Sequence, residues 1–256
     1  MHRWTRPRQT RTGLRACAGT LAVLLLAGCA PGPELSDVGK AAPDQAAAAQ
    51  EGAPHFAPGP DDVVDPDGLP ALGKWMIDPD GTVAHWLGAT YGGKHIREPI
   101  NVVLVDTGAD TAGEARTRLA AAMAAAGYPS REGHSGGYRG WIGGQTYPQL
   151  PDEPDHAYSN RFYIFDNNHG RVFGPAPVAE GYLFIAAFSR ERIAPLARLK
   201  HQYASFNRAR DDVTQELAAR SRYRITGFVD MDNAIVDDPA VTTGDHDGRA
   251  VKLRMD

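Results

Sequence analysis

Residues 100–105 read Ile-Asn-Val-Val-Leu-Val. A run so rich in β-branched residues, with one polar interruption, predicts a central strand. The residues after it are equally constrained. Thr111-x-x-Glu114 has the spacing of a capping box. Behind it, Ala115, Leu119, Ala122, Met123 and Ala126 fall on one helical face, and Gly127 supplies the stop. A central strand running into a capped helix requires a sheet with helix packed on it.

The other periodic segments extend that picture. Lys74–Ile77 and Thr82–Leu87 flank Asp78-Pro79-Asp80-Gly81, the chemistry of a hairpin turn. Tyr138–Ile142 predicts a strand in glycine-rich surroundings. Arg161–Asp166 and Arg171–Phe173 flank Asn167-Asn168-His169-Gly170, a second expected hairpin. Tyr182–Phe188 and Tyr223–Val229 predict strands, and Ala250–Leu253 is expected to close the sheet at an edge. Pro195 suits a first helical turn. Leu196, Leu199, Tyr203, Phe206, Val213 and Leu217 then predict a long amphipathic helix, interrupted near His201, with Arg210 its polar exception. The expected fold is α+β: a mainly antiparallel sheet with two helices packed on it, in one domain.

The N-terminus is of another kind. Arg3, Arg6, Arg8, Arg11 and Arg15 precede the almost wholly apolar Ala16–Ala27, with no acid among them. This is the secretory pattern, too short for a mature span of about 20 residues. It ends in Leu26-Ala27-Gly28-Cys29, which resembles a bacterial lipobox. The resemblance implies cleavage of residues 1–28 and a thioether-linked diacylglycerol on Cys29, usually joined by an N-acyl chain such as palmitate. Two or more chains anchor stably where one is marginal. The expected location is extracytoplasmic and membrane-anchored. In a Gram-positive host that is the cell surface. In a Gram-negative host it is the periplasm-facing envelope, with Ala30 favouring the outer membrane.

Cleavage fixes the rest of the composition argument. Residues 1–28 carry five of the 27 basic residues and none of the 31 acids, which leaves 22 against 31, a charge of −9. Nucleic acid is therefore not an expected partner. Cys17 leaves with the peptide and Cys29 takes the lipid, so no internal disulfide, cysteine nucleophile or cysteine-ligated metal is expected. Residues 30–70 hold eight acids against Lys40 in Pro/Ala/Gly-rich sequence. Such a segment cannot bury enough apolar surface to offset its ordering entropy. Residues 29–70 are thus expected to be a lipidated, acidic tether, reaching roughly 35 Å r.m.s. as a coil. Residues 71–256 form the globular domain.

Few motifs carry chemistry. Val105-Asp106-Thr107-Gly108-Ala109-Asp110 resembles the catalytic signature of retropepsin-type aspartic proteases. That resemblance implies a homodimer in which Asp106 and its mate share a proton to activate water. The residues themselves read as a strand end, turn formers and an N-cap, and the alanine-rich helix expected over 111–126 is not how retropepsins continue. The nine histidines show no HExxH or comparable pair, so no metal is expected, and no cofactor motif is present. The glycines of 136–144 suit a hairpin and do not match a phosphate-cradling loop. Ser130, Ser135 and Ser159 lack a nucleophile elbow. Phe162-Tyr163-x-Phe165 is expected in the core.

Three stretches carry a wider resemblance: Glu98–Leu104 leading to Ala126-Gly127-Tyr128, Asn168–Phe173, and His201 with Arg210-Asp211. Over roughly residues 96–230 the chain is similar to the LssY-type C-terminal domain, a bacterial domain of unassigned chemistry. The resemblance implies that His169, Arg171, His201, Arg210 and Asp211 form a polar cluster. Arginine and histidine together suit an anion or phosphate head group. The expected role is ligand or partner binding at the envelope, with an envelope protein or an anionic envelope ligand as partner.

Overall fold

The computed structural model describes residues 58–91, 94–194, 200–235 and 245–256. The signal segment, Cys29, Pro195, Leu196 and Leu199 lie outside the described residues.

In chain order the strands are β1 (Val63–Val64), β2 (Leu72–Gly73), β3 (His85–Tyr91), β4 (Lys94–Arg97) and β5 (Val102–Asp106), followed by helix α1 (Ala112–Ala125). Then come β6 (Ser130–Glu132), β7 (Arg139–Ile142), β8 (Gln145–Leu150), β9 (His156–Ser159), β10 (Asn167–Val178), β11 (Gly181–Ala194) and β12 (Lys200–Ser205). Helix α2 (Phe206–Arg220), β13 (Tyr223–Asp230) and β14 (Arg249–Met255) complete the domain. The fold is α+β, as the sequence predicts. One sheet runs β1-β2-β7-β8-β10-β11-β5-β14-β13, with β12 beside β11, and β9 and then β6 beside β10. Among the described strands, every pairing is antiparallel except β5 with β14.

β5 is covered on both faces. Val102 and Leu104 face α1 and α2, in a cluster with Leu119, Met123, Phe184, Phe188, Val213, Leu217 and Leu253. Val103 and Val105 face the opposite way, toward Leu72, Met76, Phe173, Leu183, Ile185 and Met231. Alternation is invisible in such a strand because both sets of side chains are buried. Asn101, the polar member of the run, continues the ladder with its side chain. Its Nδ2 donates to Phe188 O at 2.8 Å and its Oδ1 accepts from Phe188 N–H at 3.0 Å.

The helix after β5 is built as expected. Thr111 Oγ1 accepts from Glu114 N–H at 3.1 Å, and Gly127 takes φ +84° past the last turn. Thr111→Ala is expected to cost about 1 kcal/mol, the usual value of an N-cap, read as a shifted urea midpoint at unchanged slope. The hairpin around Asp78–Gly81 is present: Ile77 bridges Val83, and Ala84 N–H donates to Met76 O at 2.8 Å.

Four expectations need correction. Ala250–Leu253 does not lie at an edge. It belongs to β14, inside the sheet between β5 and β13, because Val251 and Leu253 complete the helix-side core. Asn167–Gly170 is not a turn but the buried start of β10, whose turn into β11 comes after Val178. Its polar residues meet partners inside the protein: Asn168 Nδ2 donates to Asp212 Oδ2 at 2.8 Å. Gly170 lies so close to β11 that a Cβ would sit 2.5 Å from Ala187 O. The helix expected from Pro195 begins only at Phe206. Lys200–Ser205 is extended against β11, and Ser205 Oγ caps the helix by accepting from Arg208 N–H at 3.0 Å. Finally, Phe162, Tyr163 and Phe165 are not core: with Ile164 they are 41–53% exposed, in a turn outside any strand.

The ordered chain also reaches into the stretch expected as tether. Val63–Val64 pairs with Leu72–Gly73, and Lys74 N–H donates to Asp62 O at 2.9 Å.

Candidate functional site

β10 and β11 are the long strands of the sheet, and they pair so that Asn167 lies opposite Glu191 and His169 opposite Ser189. Asn167, His169 and Arg171 alternate on one face of β10, and Glu191 joins them from β11. β12 adds His201, whose partner in the ladder is Ile193. The loop after β6 contributes Gly133, His134 and Ser135. Together with Trp86, Glu98 and Tyr138 these residues, Asn167 excepted, line a cavity of about 130 Å³. That is the liquid volume of about four waters, or one small oxyanion.

The side chains hold one another in fixed orientations. Asn167 Nδ2 donates to Phe165 O at 2.9 Å, which turns its Oδ1 toward His169 Nδ1 at 3.0 Å. That contact assigns the ring proton of neutral His169 to Nδ1. His169 Nε2 then lies 3.5 Å from Glu191 Oε1, and His201 Nδ1 contacts the other oxygen, Oε2. One carboxylate thus bridges two imidazoles. The His134 ring stacks on His169 at 4.8 Å between centroids. Arg171 Nη2 donates to Ser135 O at 2.8 Å, and its guanidinium lies 4.9 Å from the centre of the Tyr138 ring.

Burial sets the charges. His134 is pushed down to about 4 by desolvation and then by Arg171, so it is neutral at pH 7. His169 is held well below its ordinary value for the same reasons. Desolvation raises Glu98 to about 7 against the pull of Arg171, with Glu191 adding to the rise. Three buried nitrogens of residues at the cavity, Trp86 Nε1, His134 Nε2 and Arg171 Nε, have no hydrogen-bond partner in the protein. The set can bind an oxyanion through nitrogen donors. Among the described residues, no three His, Cys, Asp or Glu side chains are grouped to hold a metal ion.

Of the five residues nominated from the sequence, the structure brings three together: His169, Arg171 and His201. Arg210 and Asp211 belong elsewhere. Arg210, 4% exposed, donates to Asp211 Oδ1 at 2.8 Å, to Asp247 Oδ1 at 2.6 Å and to Arg249 O at 2.7 Å. It ties α2 to the start of β14. Sequence reasoning missed Glu98, His134, Tyr138 and Glu191 as site residues. No local signal marks them: Glu191, for one, sits between Arg190 and Arg192, where a charge is unremarkable.

Asp106 also has a defined place. It is fully buried at the end of β5, accepts from Arg118 Nε at 2.8 Å and from Gly108 N–H at 3.0 Å. The chain then enters α1 instead of continuing as β-structure. A carboxylate enclosed by a guanidinium and its own turn is not placed to meet a second carboxylate across a dimer. Gly143 and Gly144, both at positive φ, turn the β7–β8 hairpin. No match was found to a family model, to a characterised protein or to a solved structure.

Proposed function

We propose that this chain is a lipid-anchored protein of the cell envelope whose domain binds an anionic ligand of the phosphate class in the cavity beside His134. The anchor rests on the sequence pattern ending at Cys29. The binding reading rests on one observation: His134 and Arg171 bring buried, unpartnered nitrogens to the same cavity. An unpaired buried donor costs about 1–3 kcal/mol. An oxyanion supplies acceptors to both and recovers that cost. Arg171 contributes the positive charge, and its tie to Ser135 fixes the direction of its fork.

Titration calorimetry with inorganic phosphate on the membrane-extracted protein tests the binding. Arg171→Gln is expected to weaken phosphate at least about tenfold, since a charged hydrogen bond contributes roughly 1.5–3 kcal/mol. Unchanged affinity in a folded Arg171→Gln protein would sink the reading. Glu98 adds a pH signature. Its folded value of about 7 means that the cavity loses a negative charge as pH falls from 8 to 6. Phosphate affinity measured at a fixed phosphate charge state should therefore rise over that window. Glu98→Gln should flatten the rise. The anchor is tested separately, by loss of palmitate labelling in Cys29→Ser.

A further inference from the structure

The loop before β10 is unlike any other surface of the described residues. Phe162, Tyr163, Ile164 and Phe165 are consecutive and each is 41–53% exposed. Phe165 N–H donates to Phe162 O at 3.0 Å, so the four are folded into a tight turn that projects as one apolar tip. Scattered exposed apolar residues need no explanation, but a contiguous group marks a contact surface.

The position of this tip is specific. The Tyr163 ring packs directly on the Cα of Gly133, where no side chain fits. The same ring stacks on His201 with centroids 6.3 Å apart and planes 12° from parallel. Gly133 and His201 both line the cavity, so the tip forms its rim. Arg131 lies over the Phe162 ring at 4.7 Å, and Arg161 is exposed beside it. Two guanidinium groups thus flank the apolar residues. Of the nearby acids, Asp166 is held by the Ile193 N–H at 2.8 Å, and Glu132 is exposed next to Arg131.

We infer that the Phe162–Phe165 turn inserts into the headgroup region of an anionic bilayer and presents the cavity to a lipid phosphate. Aromatic and aliphatic side chains flanked by arginine are the composition that partitions into that interface. Arg131 and Arg161 meet the lipid phosphates around the tip, while the tip itself enters the acyl boundary. The cavity behind Tyr163 then faces the leaflet, and its ligand is a headgroup instead of free phosphate. Cys29 precedes Pro58 by 29 residues in the sequence, so the proposed anchor holds the domain within reach of the same membrane. This docking rests on the phosphate-binding, anchored reading of the chain.

The test uses the lipidated protein that begins at Cys29, in which Cys17 is gone and Cys29 carries the lipid, reconstituted in vesicles of 3:1 phosphatidylethanolamine to phosphatidylglycerol. An environment-sensitive fluorophore is placed at Ile164→Cys in one sample and at Ile225→Cys, an exposed position on β13, in another. Both proteins carry the same N-terminus, so tethering contributes equally. Doxyl-labelled lipid is expected to quench the probe at 164 at least about threefold more than the probe at 225. Phe162→Ser with Phe165→Ser should remove the difference. Equal quenching at the two positions, or none at 164, would overturn the docking. Phosphate titration of the same samples separates the two ideas. Intact phosphate binding without quenching rejects the docking alone, and absent phosphate binding in the unsubstituted protein rejects the cavity reading.

Discussion

Asp106→Ala is expected to lower the unfolding free energy by about 3 kcal/mol, at the low end of the range for breaking a buried ion pair. Asp106 is fully buried, and its partner Arg118 keeps a side chain 20% exposed. Loss of the carboxylate strands a guanidinium that water can only partly reach. It also removes the acceptor for Gly108 N–H, at the point where β5 hands over to α1. Arg118 has a second tie, from Nη2 to Asp256 O at 3.2 Å, so the damage should spread to the end of β14. Chemical denaturation of both proteins measures the difference. Asp106→Asn keeps the shape and should fall between the two. A change below about 0.5 kcal/mol would mean that the pair is not what holds the strand end.

Acid is expected to cost the domain more than either Thr111→Ala or Asp106→Ala. The sign comes from proton uptake. His134 and His246 are each pushed down to about 4 by burial, below the ordinary 6.5. The unfolded chain therefore binds protons first as pH falls, and stability drops between 6.5 and 4. Each contributes roughly 3 kcal/mol of loss by pH 4. His169, also held low, adds in the same direction. Glu98 works against them. Its folded value of about 7 lies above the unfolded one, so acidification through 7 favours the fold by roughly 3 kcal/mol. The histidines prevail, leaving a net loss of roughly 3 kcal/mol to which His169 adds. Stability against urea, measured from pH 8 to pH 4, should be nearly level at first and then fall steeply below 6. Removing one of the three histidines as His134→Asn should moderate the fall. A profile that stays flat to pH 4 would contradict the burial of these rings.

Much of the scaffold can be read along the chain because its signals are local. The run at 100–105 is apolar on both faces, Thr111 and Glu114 are three residues apart, and Gly127 ends the helix. Each element is set by neighbours within a few positions. The errors arise where distant partners decide. Asn167 to Gly170 have turn chemistry, yet Asp212 and β11 supply what a turn would otherwise satisfy. Tyr203 and Phe206 share a helical spacing, but pairing with β11 claims the residues before Ser205. The site shows the same division. His169, Arg171 and His201 are reached only through the family resemblance, since Asn167 to Gly170 read locally as a turn. Glu98, His134 and Glu191 come from separate segments, and nothing adjacent to them marks their convergence. Arg210 and Asp211 mislead because two charges on one helix cannot announce that Arg210 will be taken up by Asp247 and Arg249 O while holding Asp211 beside it.

The position of β14 bears on how the protein is made. Among the described residues, seven near the end of the sequence form the only link between β5 and β13. As the chain emerges from N- to C-terminus, both helices and the strands β1 to β13 are available before that link exists. Until it arrives, β5 has an open side, and unpaired strand edges invite pairing with other chains. Closure over such sequence separations is slow. The sheet thus closes only once β14 has emerged, and an emerging chain depends on being shielded until then.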